Sequence, residues 1–322
     1  MKLIHYFIII IAFIILCLLS ISLGAISFSW ESLLDGNNSA QINLLLISRI
    51  PRTIALVLAG WSMAVSGLIM QMLSQNKFTE PGTTGTIESA TLGLVLAGFI
   101  FPSYPIIVKI SFSCIISILG TVIFIVIINR TPLKSPILVP LIGIMLGGVI
   151  NSCSTFIAYK YDIMQSLISW STADFSIILR NRYEMLWGAF FATIVAYFFA
   201  NHITVTGLGK DFASNLGINY KKILILGVFI VSISTAIIVS TVGAIPFVGL
   251  IVPNIVSILV GDNFYKTTPL TGALGASFVL ACDVISRTIV SPFEIPLGSV
   301  ISVIGGIAFL FIIVHGANKL EK

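Results

Sequence analysis

Apolar residues run through this chain in long unbroken stretches, divided by short polar breaks. A stretch such as FIIIIAFIILCLL, Phe7 to Leu19, shows no alternation of polar and apolar positions. Barrel strands alternate over segments of about 10 residues, so these runs predict helices. Ten such runs can be counted, at about 4–26, 53–74, 84–101, 106–128, 137–158, 184–203, 223–242, 247–260, 268–287 and 296–314. The third and eighth are short, and the eighth contains Pro246 and Pro253 within GAIPFVGLIVPNIVSILVG. Short, proline-interrupted runs predict broken or re-entrant helices that are buried in protein or line a cavity. The longest connection, near 159–183, carries charge and the aromatics Tyr159, Tyr161 and Trp170.

One stretch is out of character. Residues 207–222, GLGKDFASNLGINYKK, are polar and hold three lysines and an aspartate. Phe212, Ala213 and Leu216 sit at helical spacing within it, and Gly207, Gly209 and Gly217 allow turns around them. The pattern predicts a short amphipathic helix or helix pair with an apolar face that needs a partner.

Composition sharpens the class. The chain has 322 residues, 57% of them hydrophobic and 9% charged, with a mean hydropathy of +1.10. A soluble domain is nearer 25% charged. The expectation is one all-α, polytopic membrane domain over 1–322 with about ten transmembrane helices. The net charge of +5 comes from residues scattered at helix ends, so nucleic acid is not an expected partner. Cys17, Cys114, Cys153 and Cys282 lie far apart within apolar runs, and His5, His202 and His315 are isolated. This spacing predicts no metal site and no resident cofactor. The first apolar run, about 18 residues, is too long for a signal peptide core and reads as an uncleaved span.

Orientation follows from the loops. With both termini inside, the inner side holds Lys2, Lys77, Arg130, Lys134, Lys210, Lys221, Lys222, Lys266, Lys319 and Lys322. The outer side holds Arg49, Arg52, Lys109, Lys160, Arg180, Arg182 and Arg287. The bias is in the positive-inside direction and places 207–222 in the cytoplasm.

Several constellations can carry chemistry. Arg49 and Arg52 in RIPRT point the same way on a first helical turn, either as interfacial anchors or as a pad for an acidic external partner. Asp283 and Arg287 lie four apart within the ninth run, with Glu294 and Pro296 in the turn beyond. They form either a neutralised structural pair or a functional one. Pro81, Gly82 and Gly85 break the chain between the second and third runs, and Glu88 then stands just inside the third. It is either a dipole-favoured acid at a helix start or part of a polar cavity or gate. Gly60, Ala64 and Gly67, and likewise Gly143, Gly147 and Gly148, provide for close helix approach. No nucleophile–base pair is visible, and no GxxxxGK[ST] phosphate loop occurs, so the chain cannot bind ATP by that route.

Taken together, RIPRTIALVLAGWSMAVSGLIMQ, NKFTEPGTTG, GLGKDFASNLG, GAIPFVGLIVPNIVSILVGDN and CDVISRTIVSPFEIPLGSVISVIGG resemble the FecCD family. These are the iron-siderophore, haem and vitamin B12 permeases of ABC importers. The resemblance implies ten transmembrane helices per subunit and a dimer, of identical or paralogous permeases, around a central pathway. It implies a transport subunit rather than an enzyme, in a bacterial cytoplasmic membrane, with separate ATPase subunits and a substrate-binding protein or lipoprotein as partners. Arg49, Arg52 and Arg287 match the arginines that receive the binding protein's glutamates. Gly209, Lys210, Asp211, Phe212, Ala213, Leu216 and Gly217 match the coupling helix that docks on the ATPase. Asn76, Phe78, Glu80 and Pro81 match the inner-gate turn, with Glu88 on the pathway behind it.

The chain departs from the family where Asn254 replaces a common His, where Lys210 replaces a common Glu, and where NKFTEP replaces NPLAEP. GTIESATLG, with Glu88, is similar to the catecholate-siderophore branch. The expected cargo is thus a ferric siderophore of catecholate type, with haem or vitamin B12 as the alternatives. A secondary transporter would need inverted repeats and ion-coordinating half-helices, and an intramembrane enzyme a catalytic motif within the spans. Neither feature stands out in the sequence.

Overall fold

The structure is a computed structural model that describes residues 2–24, 39–131, 137–291 and 293–320. Lys134 and Lys322, used above for orientation, lie outside the described residues. The elements are α1 (Lys2–Ser22), α2 (Ser39–Leu44), a π-helical stretch Leu45–Arg49 leading into α3 (Ile50–Ser74), α4 (Thr86–Ile100), α5 (Ile106–Arg130), α6 (Leu138–Lys160) and α7 (Met164–Ser171). After them come α8 (Leu186–Phe198), α9 (Ala200–Thr206), α10 (Lys210–Asn215), α11 (Tyr220–Val242), α12 (Val248–Val260), α13 (Phe264–Thr288) and α14 (Leu297–Leu320). Each of the ten apolar runs falls on one helix or, for the sixth, on the α8–α9 pair, which bends by 74°. Among the described residues, five helices are long and apolar enough to cross a membrane, six with the bent pair counted as one span.

α3 is the centre of the bundle. In its most apolar window 83% of residues are buried, against 22% for α6. A stripe of small residues allows this. A side chain at Gly60 would meet the Gly275 carbonyl at 2.8 Å, one at Gly275 would strike the Ala64 methyl at 2.4 Å, and one at Gly67 would lie 1.9 Å from the Gly249 carbonyl. Backbone therefore packs on backbone where α3 crosses α13 and α12, as small-residue interfaces do in lipid. Around the stripe, Ala55, Leu56, Ala59, Met63, Ile69 and Met70 are fully buried. The far side of the molecule is different. Ile115, Leu119 and Ile123 on α5, and Ile144, Met145 and Val149 on α6, are exposed, as helices facing lipid or a partner must be.

The eighth run is broken, as its prolines predict. The break lies at 243–247, around Pro246, where Gly243 (φ 87°) and Phe247 (φ 64°) are left-handed, whereas Pro253 sits inside α12. A proline costs the helix a hydrogen bond, which neighbouring groups have to make good. The 159–183 connection is structured. It contains α7 and buries Ala173, Phe175 and Ile178. Its backbone bonds the break itself, with Ala244 N–H on the Trp170 carbonyl at 3.0 Å and Asp174 N–H on the Val242 carbonyl at 2.9 Å. A side chain at Gly243 would meet the Thr172 carbonyl at 2.3 Å, so only glycine fits there.

The glycine stripe generates a paired test. Gly67→Ala puts a methyl into the Gly249 carbonyl and should cost about 1–3 kcal/mol by overpacking. Gly148→Ala meets nothing within 4 Å and should leave stability unchanged. Thermal unfolding midpoints of the two detergent-solubilised variants check the difference.

Candidate functional site

The connection between α3 and α4 is held as one compact turn. Gln75 ends α3 in the left-handed region, φ 51°. Asn76 then shapes the chain: its Oδ1 accepts the Phe78 N–H at 2.8 Å and its carbonyl accepts the Thr79 hydroxyl at 2.8 Å. The Thr83 hydroxyl accepts the Glu80 N–H at 2.9 Å. The Pro81 carbonyl takes the Thr86 and Ile87 N–H groups at 3.1 and 3.3 Å, which starts α4. A side chain at Gly143 would lie 2.0 Å from the Thr83 carbonyl, so α6 presses directly on the turn.

Glu80, only 2% exposed, reaches from this turn to the broken helix. Its Oε1 accepts the Phe247 N–H at 3.0 Å, at the start of α12, where helical N–H groups lack partners and negative charge is favoured. Burial pushes the Glu80 carboxyl up to about 7, against the pull of the Phe247, Leu250 and Gly249 amides. Two further contacts tie the turn along α12. Asn254 Nδ2 donates to the Lys77 carbonyl at 2.8 Å and to the Leu250 carbonyl at 2.7 Å. Lys77 Nζ pairs with Asp262 at 2.9 Å and donates to Ser257 Oγ at 2.8 Å. Burial alone would raise the Asp262 carboxyl, but Ser257 and Lys77 outweigh it and hold it below the usual carboxylate range.

A cavity of about 900 Å³ opens behind the turn, lined among others by Phe78, Glu80, Glu88, Asn151, Phe247 and Phe309. Phe78 and Phe247 both approach Phe309, with ring centroids 6.2 and 6.4 Å away. Three of the five predicted gate and pathway residues, Phe78, Glu80 and Glu88, therefore face one space. The other two, Asn76 and Pro81, build the turn.

α10 lies at the same end of the bundle. Gly209 (φ 110°) and Gly217 (φ 74°) bound it, as their spacing predicts. The predicted apolar face is split: Ala213 is buried, whereas Phe212 and Leu216, with Leu208 before the helix, are more than 60% exposed. Lys210 and Asp211 are exposed too. The segment is anchored to the root of the turn. Gln75 shares a side-chain hydrogen bond with Tyr220 and lies against Gly209, and Met72 lies against Gly207.

The three arginines gather at the opposite end, and there the structure adds to the expected pad. Arg49 is 6% exposed and donates to the Ile21 and Ser22 carbonyls at 2.7 and 2.6 Å. Arg287 donates to the Ser20 and Leu23 carbonyls at 3.1 and 2.8 Å and pairs with Asp283. Arg52 bridges Asp283 and Glu294, both at 2.8 Å. The Arg49 and Arg287 guanidiniums satisfy the last carbonyls of α1, which a helix end leaves open. The same three residues line a pocket of about 190 Å³ with Ser48, Ser176 and Glu294.

Sequence reasoning missed Lys77, Asp262 and Ser257, whose meeting depends on how α12 packs. It noted Asn254 only as a departure. The polar positions Asn151, Ser152 and Thr155 on α6 are exposed and were legible as a polar interruption in an apolar run. Among the described residues no group of three or more His, Cys, Asp or Glu could hold a metal ion.

A helical membrane bundle with a broken helix, a turn closing a central-facing cavity and an anchored surface helix defines a permease-type transport protein. The chain belongs to the FecCD transport family, whose defining pattern matches residues 11–315. It is 41% identical over 315 residues to the petrobactin import system permease protein YclN of Bacillus subtilis, covering 98% of each chain. It is 39% identical over 309 residues to the ferric-anguibactin transport system permease protein FatD of Vibrio anguillarum, covering 96% of this chain and 98% of that one. Among solved structures, an inward-facing metal-chelate type ABC transporter has the same fold, with a TM-score of 0.81 at 21% identity over 96% of this chain and 98% of that one.

The tie between turn and broken helix can be measured. Asn254→Ala removes the bonds to the Lys77 and Leu250 carbonyls, each worth about 0.5–1.5 kcal/mol. Amide hydrogen exchange in residues 76–80 should speed up several-fold while α5 is unaffected. Unchanged exchange at 76–80 would show that the bond does not hold the turn.

Proposed function

We propose that this chain is the membrane-spanning permease subunit of an ABC importer for a ferric siderophore, working in a bacterial cytoplasmic membrane with its termini and α10 on the cytoplasmic side. The observation that carries the reading is α10: its apolar residues Phe212 and Leu216 are exposed, while its flanks hold Gln75 at the root of the turn. A partner that grips α10 therefore moves the turn. The chain contains no phosphate loop, so that partner is a separate ATPase, and 207–222 is the coupling segment. A second permease, a copy or a paralogue, closes the cavity from the exposed face of α6. The relatives' names supply the cargo class: ferric-anguibactin and petrobactin. The catecholate type remains the preferred cargo, on GTIESATLG.

The cycle follows from this geometry. A loaded binding protein docks at the arginine end and inserts a carboxylate into the pocket between Arg49, Arg52 and Arg287, whose forked donors match it. ATP-driven closure of the ATPase pair displaces α10. The displacement reaches Gln75, the turn and, through Glu80, Asn254 and Lys77, the whole of α12. The cavity then changes the side to which it opens. ATP can shift this equilibrium only because the partner contacts the two states differently.

Two measurements test the two ends. Leu216→Asp puts a charge on the exposed apolar face of α10 and should abolish ATP-driven iron uptake with the permease still in the membrane; normal coupled uptake would remove α10 from this role. Ser176→Glu fills the arginine pocket with the chain's own carboxylate and leaves the arginines in place. It should weaken binding-protein association about tenfold or more, the usual scale for a charge-assisted contact, and flatten its salt dependence. Unchanged association at physiological salt would move the docking site elsewhere.

A further inference from the structure

Glu88 is the one acid facing the cavity that the turn does not employ. It stands on the first turn of α4, and its carboxyl lies against α6 where Gly147 has no side chain: a methyl there would come within 3.2 Å of Cδ and 3.3 Å of Oε2. One turn further along α6 is Asn151, which lines the same cavity. Oε2 of Glu88 and Oε2 of Glu80 are both shut off from water without a hydrogen-bond partner, but Glu80 is held in place by the bond from Phe247 to its Oε1. No Lys, Arg or His is found among the described residues that line the cavity. A carboxylate in such surroundings gains most from a positively charged hydrogen-bond donor, because burying it unpaired is costly.

We propose that Glu88, seated over Gly147 and beside Asn151, recognises a protonated amine on the cargo, so that the pathway selects ferric chelates carrying a cationic nitrogen over neutral or anionic ones of the same size. This inference rests on the importer reading above and extends it to the chemistry of the cargo. Glu88 accepts the ammonium hydrogen and Asn151 offers its amide to the polar atoms beside it. The missing side chain at Gly147 gives the carboxyl its seat against α6 at the cavity wall. An all-carbon wall would distinguish chelates by size alone; a single buried acid adds a charge criterion.

The test uses the complete importer, with permease pair, ATPase and binding protein, reconstituted in proteoliposomes. Two ferric chelates are compared that differ only in a linker nitrogen, a free secondary amine in one and its N-acetyl form in the other. Uptake of radioactive iron is divided by each chelate's occupancy of the binding protein. The native chain should favour the amine by about tenfold or more, the ordinary worth of a hydrogen bond to a charged group. Glu88→Gln should bring the ratio close to one, and Glu88→Asp should keep most of it. Gly147→Ala, which retains the acid but crowds it, should lower the ratio, and it decides the matter if Glu88→Gln fails to reach the membrane. Equal uptake of both chelates by the native chain, or a ratio that survives Glu88→Gln and Gly147→Ala, overturns the proposal while leaving the importer reading intact. Competition by sodium or potassium ions that lowers both chelates equally also overturns it, since the acid would then hold a free cation. Uptake of neither chelate by the native chain would remove the ferric-chelate reading and this inference with it.

Discussion

Backbone groups released by a helix break inside a membrane have no water to turn to. The break before α12 is therefore the constraint on which the functional end of this protein is built. Phe247 is left-handed, and at the start of α12 its N–H has no acceptor within the helix. Glu80 supplies the missing acceptor from a turn more than 160 residues away in sequence. The connection from α7 fills the other side, bonding Ala244 through the Trp170 carbonyl. Because the main chain of Glu80 is bonded within the turn and its carboxyl caps the broken helix, one residue ties the two together. Asn254 and the Lys77–Asp262 pair repeat the connection further along α12, so the two elements behave as one piece.

Much of this architecture was legible from the chain. Continuous apolar runs located the helices, and Gly60, Ala64 and Gly67 marked the surface of α3 on which α12 and α13 pack. The glycines around 207–217 marked the ends of α10. What stayed hidden was whatever depends on contact between distant segments. Pro246 and Pro253 both marked the run as broken, but which of them breaks it was hidden: the break is at Gly243–Phe247, where close approach to Thr172 leaves room only for glycine, and Pro253 sits inside α12. Leu216 and Ala213 looked equivalent by spacing, yet only the smaller one faces the protein.

The arginines illustrate a related point. Spacing put Arg49 and Arg52 on one face, and separation by four paired Arg287 with Asp283, which left structural and recognition roles open for each. The geometry combines the two. Guanidiniums that close the carbonyl end of α1 are held rigid by that duty, and rigidity is what a pocket for a partner's carboxylate requires, since fewer side-chain rotamers are lost on docking. In the proposed cycle, stability and recognition thus draw on the same side chains at this end of the bundle.

Gly143 carries a consequence of a different kind. With no side chain there, the Thr83 carbonyl rests directly on the backbone of α6, and α6 is the least buried of the five long apolar spans among the described residues. A loop with free space beside it could open by local fluctuation, on the nanosecond scale of loop motion. This turn has a helix backbone as its backstop, so it can swing only if α6 tilts with it. In the proposed cycle the opening step then has the time course of helices shifting against each other, microseconds to milliseconds, and its rate should depend on the lipid or protein surface that α6 has to slide against.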